Sequence, residues 1–268
     1  CLNRRMGYLL WLMRSSIIET TSSMVWAVES TCTASSAGTS GATSQPSAGE
    51  FKALFDRVRA DGHDSAIFIS LCSEWSACYA NACLTAETHE LDVRCIDSRT
   101  GSGAEGLLVE YALAMREDGR SLDETEAQIR ATLPDAHLLL IPRTLENLVK
   151  NGRAPKLAGQ LTQMLNIRLA VSPEWKSGEI KAVKKGRGAK RIVANTMTDC
   201  LAFLAEHPGS SVRVLTTGAA EEQKLVSQAL AGRDYVDAGT GPIGCTIATH
   251  VGVDAIAISY CPRYQPIH

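Results

Sequence analysis

Three separate stretches of the chain carry hydroxyl, amide or imidazole groups where a small ligand could be held. Residues 43–45, Thr-Ser-Gln, stand immediately before a proline and a predicted helix start. Ser73 and Ser76 follow an apolar run at another predicted helix start, and His250 lies inside an apolar run punctuated by glycines. Free N–H groups and the positive end of a helix dipole favour an anion at a helix start. Hydroxyl groups at the same place can donate hydrogen bonds to that anion.

Each of these groups also has a purely structural interpretation. The S-x-x-E sequence that begins at Ser47 is a capping box, which satisfies N–H groups of the first helical turn but leaves residues 43–45 unexplained. Ser73 is a natural N-cap residue, and capping does not require Ser76. A lone histidine in an apolar run is usually a hydrogen-bonded core residue, so His250 does not define a site by itself.

A different chemistry is indicated by the G-x-G-x-x-G sequence of residues 101–106, which follows a predicted strand. In dinucleotide-binding folds this motif holds a pyrophosphate at a helix N-terminus, and an acidic residue about 20 positions further on binds the ribose. Asp123 and Glu124 have that spacing, but they fall in a second capping box that begins at Ser121. A turn with helix-packing glycines is therefore favoured, and a nucleotide-dependent α/β enzyme using the Gly101–Gly106 loop is the alternative.

Short apolar runs that alternate with helical patterns predict the elements that position these groups. Residues 65–71, 92–97 and 137–142 are typical of buried strands, and each adjoins a helical pattern. This alternation predicts an α/β domain with a largely parallel sheet flanked by helices. Two strands around the Ser177-Gly178 turn predict a hairpin, and a long helix from Ala189 to Glu206 completes a second α/β domain with a mixed sheet.

A predicted helix that ends at Gly152 suggests the boundary between these two domains. We expect an N-terminal α/β domain over residues 1–150 and a C-terminal α/β domain over residues 151–268. Residues 1–42 are atypical for such a domain. Residues 33–44 are all Ala, Gly, Ser or Thr and offer little to bury.

Composition argues against several classes of function. The chain has 268 residues and a formal net charge of −2, which offers no electrostatic footprint for nucleic acid or an acidic membrane surface. Its nine cysteines have no metal-type grouping with histidines and predict free thiols in a reducing cytoplasm. The apolar residues 6–13, behind Arg4 and Arg5, are too short for stable membrane insertion and leave a signal peptide as the alternative.

The three polar stretches form an ordered series with other short motifs. In chain order the motifs are Thr43-Ser-Gln-Pro-Ser47, Gly49-Glu-Phe51, Ser73-x-x-Ser76-x-x-Tyr79-x-x-Ala82, Ile96-Asp-Ser-Arg99, Gly152-Arg153, Leu165-Asn-Ile-Arg168, Gly241-Pro-Ile and His250-Val-Gly252. This series, from residue 43 to about residue 260, resembles the DegV family of bacterial fatty-acid-binding proteins.

The resemblance implies a two-domain α/β protein that holds one long-chain fatty acid between its domains, in an apolar tunnel with the carboxylate at the mouth. It implies a carrier rather than an enzyme, without cofactor or metal. Some members of the family present the fatty acid to a fatty acid kinase, which phosphorylates the carboxylate to an acyl phosphate for phospholipid synthesis, and the resemblance implies such a kinase as the partner of this chain. By motif, the fatty-acid-binding residues are expected to be Thr43, Ser76 and His250, with Arg153 near the mouth and the kinase-facing surface.

Overall fold

The computed structural model describes residues 23–27, 32–33, 42–163 and 167–266. The candidate signal segment, residues 6–13, lies outside the described residues, as does most of the atypical stretch 1–42. In the described part of the chain, no helix is long and apolar enough to cross a membrane.

The elements alternate between strands and helices along most of the described chain. The strands are β1 (Ser23–Ala27), β2 (Cys32–Thr33), β3 (Ala42–Thr43), β4 (Ser65–Ser70), β5 (Asp92–Asp97), β6 (His137–Ile141), β7 (Ile167–Pro173), β8 (Ile180–Arg187), β9 (Ser211–Thr216), β10 (Val236–Pro242) and β11 (Ile256–Cys261). The α-helices are α1 (Ala48–Ala60), α2 (Cys78–Ala86), α3 (Ser102–Glu117), α4 (Leu122–Thr132), α5 (Glu146–Lys150), α6 (Gly188–Glu206), α7 (Ala220–Leu230) and α8 (Cys245–Val251). Two 3-10 helices span Leu133–Asp135 and Pro155–Gln163.

The smaller sheet has the strand order β1-β4-β5, and both pairings are parallel. Helix α1 begins with the predicted capping box, in which the Glu50 backbone N–H donates to Ser47 Oγ and the Glu50 carboxylate accepts from the Ser47 backbone N–H. Its apolar side chains recur at helical spacing and form the buried face of the helix. On this face Phe51 packs against Phe68 of β4, with the ring centroids 5.4 Å apart. The sequence pattern predicted this unit correctly.

The larger sheet has six strands in the order β10-β9-β11-β6-β7-β8. Its β9–β10 pair is parallel, whereas β11 and β6 are antiparallel to their neighbours and β7–β8 is the predicted hairpin. The α/β fold class, with a small parallel sheet and a larger mixed sheet, is therefore confirmed.

One strand lies in a different sheet from the one its sequence predicted. Strand β6, expected in the parallel sheet of the first half, pairs with β11 and β7 of the larger sheet. A buried apolar run carries no information on its partner, so the sequence could not distinguish the two sheets. The larger sheet thus takes a strand from before residue 150, while a domain boundary at that residue stays a prediction.

The strands of the larger sheet send alternate side chains to two different layers. In β6, Leu139 and Ile141 join the core formed with helices α6 and α7, whereas Leu138 and Leu140 face the opposite layer. Helix α3 packs between the sheets, since it contacts β4 of the smaller sheet and β6, β9 and β11 of the larger one. Leu138 and Leu140 lie on the side of the sheet that faces the cavity described below.

Candidate functional site

A cavity of about 700 Å³, including space open to solvent, lies between the larger sheet and loops from the first half of the chain. The apolar side chains along it are Leu71, Trp75, Leu138, Leu140, Leu148, Val171, Pro173, Ile180, Ile247 and Val251. The four residues predicted from the sequence, Thr43, Ser76, Arg153 and His250, all line this cavity. The remaining lining residues are Ser44, Gln45, Ser172 and Thr246.

Thr43 and His250 are in direct contact. Thr43 is the last residue of β3, His250 belongs to α8, and Thr43 Oγ1 lies 2.9 Å from His250 Nε2 in a hydrogen bond. The loop that follows Thr43 is held to the first half, because Asn81 Nδ2 of α2 donates to the Pro46 carbonyl at 3.3 Å. Thr43 therefore contacts α8 at the start of the loop that leads into α1.

His250 is buried, with 9% of its surface exposed, and its Nδ1 has no hydrogen-bond partner among the described residues. Burial is the main reason that the pKa of His250 falls from 6.5 to about 4, and the charge of Arg153 lowers the pKa further. The imidazole is therefore neutral at pH 7. Of the described residues that line the cavity, only Arg153 and His250 are ionisable.

Ser76 lies in a tight turn between β4 and α2. Helix α2 begins at Cys78, whose N–H donates to Ser76 Oγ at 3.2 Å. The expected N-cap role of Ser73 is therefore wrong: its own N–H donates to Asp97 Oδ1 at 3.1 Å, and its side chain caps no helix. The capping interpretation failed because the helix begins only at Cys78, which places Ala77 rather than Ser73 at the N-cap.

Arg153 follows the turn that ends α5. Gly152 adopts φ +73°, in the left-handed region that favours glycine, and this turn directs Arg153 toward the cavity. The guanidinium donates through Nε to the Trp75 carbonyl at 3.2 Å and through Nη1 to the Asn151 carbonyl at 2.8 Å. These two bonds fix a positive charge beside the residue that precedes Ser76.

Trp75 is the lining residue that the sequence motifs missed. Its backbone joins the Ser73–Ser76 turn, since its N–H donates to the Cys72 carbonyl at 3.0 Å. Its indole Nε1–H donates to the Gly178 carbonyl of the β7–β8 hairpin at 2.8 Å. The sequence did contain a signal for Trp75. It is an aromatic residue next to the candidate Ser76, in a polar turn where no local structural role requires an aromatic side chain.

A family model described as "Uncharacterised protein, DegV family" matches residues 32–263. The chain belongs to the DegV family. The predicted resemblance is thereby confirmed, and the match includes every residue that we have placed in the cavity.

Some relatives and structural neighbours of the chain have been described by what they bind. A Thermotoga maritima relative named fatty acid-binding protein is 28% identical over 221 residues, covering 81% of this chain and 75% of its own. A Thermotoga maritima structure described as revealing fatty acid binding function has 25% identity and a TM-score of 0.70, covering 85% of this chain and 79% of its own. The Streptococcus pneumoniae Fatty Acid Kinase (Fak) B3 protein loaded with linoleic acid has 22% identity and a TM-score of 0.70, covering 83% and 78%.

The glycine motif of this DegV chain serves close packing. A Cβ on Gly103 would lie 2.6 Å from Ser259 Oγ of β11, and a Cβ on Gly106 would lie 2.7 Å from Arg213 Nη1 of β9. Asp123 and Glu124 belong to the start of α4, where the predicted Ser121 capping box is present. These contacts favour the packing interpretation over a phosphate-binding loop.

No group of three or more His, Cys, Asp or Glu side chains within the described ranges could hold a metal ion. The seven cysteines between residues 72 and 261 form no disulfide. Four of them, Cys72, Cys78, Cys200 and Cys261, are buried, and burial raises the pKa of the Cys72 and Cys78 thiols to about 11. These thiols therefore pack as small apolar groups.

Proposed function

We propose that this protein binds one long-chain fatty acid in the cavity, with the carboxylate at Thr43, Ser76, His250 and Arg153. One observation carries the proposal: a single cavity combines an apolar lining with the polar residues that the sequence motifs predict. The Thermotoga maritima relative named fatty acid-binding protein and the Thermotoga maritima structure described as revealing fatty acid binding function support it.

The apolar lining provides the binding energy for a hydrocarbon chain. Burying about 15 methylene groups at ~0.8 kcal/mol each contributes on the order of 12 kcal/mol before the costs of association. The carboxylate loses its water of hydration when it binds. Hydrogen bonds and one positive charge are needed to compensate for that loss. An apolar cavity of this kind suits an acyl chain better than a polar metabolite.

The polar residues can meet those needs together. The Ser76 hydroxyl accepts the Cys78 N–H, which leaves its own proton available to the carboxylate. In the His250 tautomer that carries its proton on Nε2, this N–H donates to Thr43 Oγ1, which leaves the Thr43 hydroxyl proton available to the carboxylate as well. His250 thus positions the Thr43 hydroxyl, while Arg153 supplies a positive charge near the head group.

We further propose that the protein is a carrier that presents the fatty acid to a fatty acid kinase in the cytoplasm, which phosphorylates the carboxylate to an acyl phosphate. The support is indirect: a fold neighbour is the Fatty Acid Kinase (Fak) B3 protein loaded with linoleic acid, and the buried Cys72, Cys78, Cys200 and Cys261 are free thiols, as in a reducing compartment. The chemistry on the carboxylate then belongs to the kinase, and this chain contributes binding and orientation.

Organic extraction of the purified protein tests the proposal. We expect a long-chain fatty acid at close to one molecule per chain, or its stoichiometric uptake after delipidation and incubation with hexadecanoic acid. Recovery of a nucleotide, or no lipid even after incubation with excess fatty acid, would overturn the proposal in favour of the glycine-loop alternative.

A further inference from the structure

Trp75 forms a fixed part of the cavity wall next to the proposed head-group site. Its half-buried indole packs against the cluster that includes Leu138, Leu140 and Ile180, and these three residues line the cavity as well. It directly precedes Ser76, and its carbonyl accepts the Arg153 hydrogen bond. The backbone of Trp75 therefore adjoins the proposed head-group site, and its indole forms part of the cavity wall.

The indole is tied to the opposite side of the cavity. Nε1–H donates to the Gly178 carbonyl at 2.8 Å, and Gly178 is part of the β7–β8 hairpin whose Pro173 and Ile180 also line the cavity. A tryptophan has one polar hydrogen, and here it is satisfied by a backbone group. Rotation of the ring away from the cavity would break this hydrogen bond. Moving the ring to admit a wider ligand therefore costs the free energy of that bond.

Gly101 determines how far back the ring can lie. A Cβ at this position would stand 3.0 Å from Cζ3 of the Trp75 ring and 3.8 Å from Leu71 Cβ. Gly101 has an extended backbone, φ −175°, which any residue adopts, so the glycine is needed for space rather than for conformation. The first glycine of the G-x-G-x-x-G sequence thus accommodates the ring that borders the cavity.

We propose that Trp75, backed by Gly101 and tied to Gly178, is a specificity-determining residue that admits unbranched acyl chains and excludes acids with a substituent next to the carboxyl group. This inference rests on the proposed fatty-acid function. A close-packed wall discriminates strongly against one added carbon, because neither the ring nor the hairpin can move without losing contacts. An added methyl group beside the head group therefore reduces affinity by about tenfold or more.

The test compares hexadecanoic acid with 2-methylhexadecanoic acid on delipidated protein. For each variant, the measured quantity is the ratio of the two dissociation constants. We expect a ratio of about ten or more for the unchanged protein and a fall toward about two for Trp75→Leu, which widens the wall. Trp175→Leu is the matched control, since it removes the other tryptophan near this hairpin, an exposed one, and should leave the ratio unchanged.

Gly101→Ala tests the same wall in the opposite direction. The new methyl group would press the ring toward the cavity, so we expect the ratio to increase and hexadecanoic acid to bind more weakly. If Trp75→Leu does not fold, the ratio measured for Gly101→Ala alone tests the proposed role of Trp75. An unchanged ratio in Gly101→Ala, an unchanged ratio in a folded Trp75→Leu, or equal affinities in the unchanged protein would overturn the assignment. Failure of the unchanged protein to bind either acid would instead overturn the proposed function.

Discussion

Thr43 Oγ1 and His250 Nε2 are hydrogen-bonded at 2.9 Å although 207 positions separate the two residues in the chain. The contact joins the loop that leads into the first α/β unit to helix α8 near the end of the larger sheet. Ser76 and Arg153 lie on the same cavity, and Arg153 is bonded to the carbonyl of the residue before Ser76. The proposed head-group site is therefore assembled only when both parts of the chain are folded together.

The two hydroxyl groups should make coupled contributions to the binding energy. We expect Thr43→Val and Ser76→Ala each to weaken fatty acid binding by about 1.5–3 kcal/mol, the value of a hydrogen bond to a charged group. The double variant should lose less than the sum, because the two donors share one carboxylate. Titrations of the three delipidated variants with hexadecanoic acid provide the measurement.

Ser47→Ala is the matched control for these hydroxyl variants. Ser47 lies four residues after Thr43 in the same loop, but its hydroxyl caps α1 and is exposed. Its removal should lower the free energy of unfolding by about 1 kcal/mol and leave fatty acid affinity unchanged. Unchanged affinity in both Thr43→Val and Ser76→Ala would mean that these residues serve the local turns only.

The buried His250 should make stability depend on pH in a definite direction. The pKa of His250 is about 4 in the folded protein and 6.5 as an unperturbed group, so the unfolded chain takes up a proton that the folded protein resists. Stability from this residue is complete above pH 6.5 and falls as the pH decreases toward 4. Between pH 7 and pH 5 we expect a loss of about 2 kcal/mol in the free energy of unfolding.

Urea unfolding of delipidated protein at the two pH values measures this effect. His250→Gln should remove it, and the difference between the two proteins cancels the contributions of other titrating groups such as His137, whose pKa burial also lowers. Identical pH dependence in the two proteins would show that His250 is not held neutral by its surroundings.

Gly103 should affect folding rather than ligand binding. A Cβ there would stand 2.6 Å from Ser259 Oγ, and Ser259 is fully buried in β11, so α3 and the sheet must separate slightly. We expect Gly103→Ala to lower the free energy of unfolding by about 1–3 kcal/mol, with fatty acid affinity retained. Gly159→Ala, at a position with nothing within 4 Å, is the control. Saturable ATP or NAD binding that Gly103→Ala abolishes would contradict this account.

Local signals in the sequence predicted local structure well. The capping boxes at Ser47 and Ser121, the hairpin around Gly178 and the long helix α6 depend on neighbouring residues, and the structure contains all four. The motif series alone pointed to Thr43, Ser76, Arg153 and His250, which the fold brings to one cavity.

The errors arose where a distant part of the chain decides the outcome. The Ser73 N–H bonds to Asp97, 24 positions away, and α2 begins only at Cys78, while β6 pairs with β7 and β11 of the larger sheet. The contacts of Trp75 with Gly101 and Gly178 could not be predicted either, since no local sequence pattern indicates which backbone group a tryptophan side chain contacts. Tertiary contacts of this kind require the folded structure.

Titration of the delipidated protein with a small set of ligands tests the central claim most directly. The ligands are hexadecanoic acid, hexadecan-1-ol and ATP, and the measurements are stoichiometry and affinity. We expect hexadecanoic acid to saturate at one molecule per chain, the alcohol to bind more weakly because it lacks the carboxylate, and ATP not to bind. Saturable binding of ATP without binding of hexadecanoic acid, or equal affinity for the acid and the alcohol in both the unchanged protein and Ser76→Ala, would contradict a cavity that holds a fatty acid by its carboxylate.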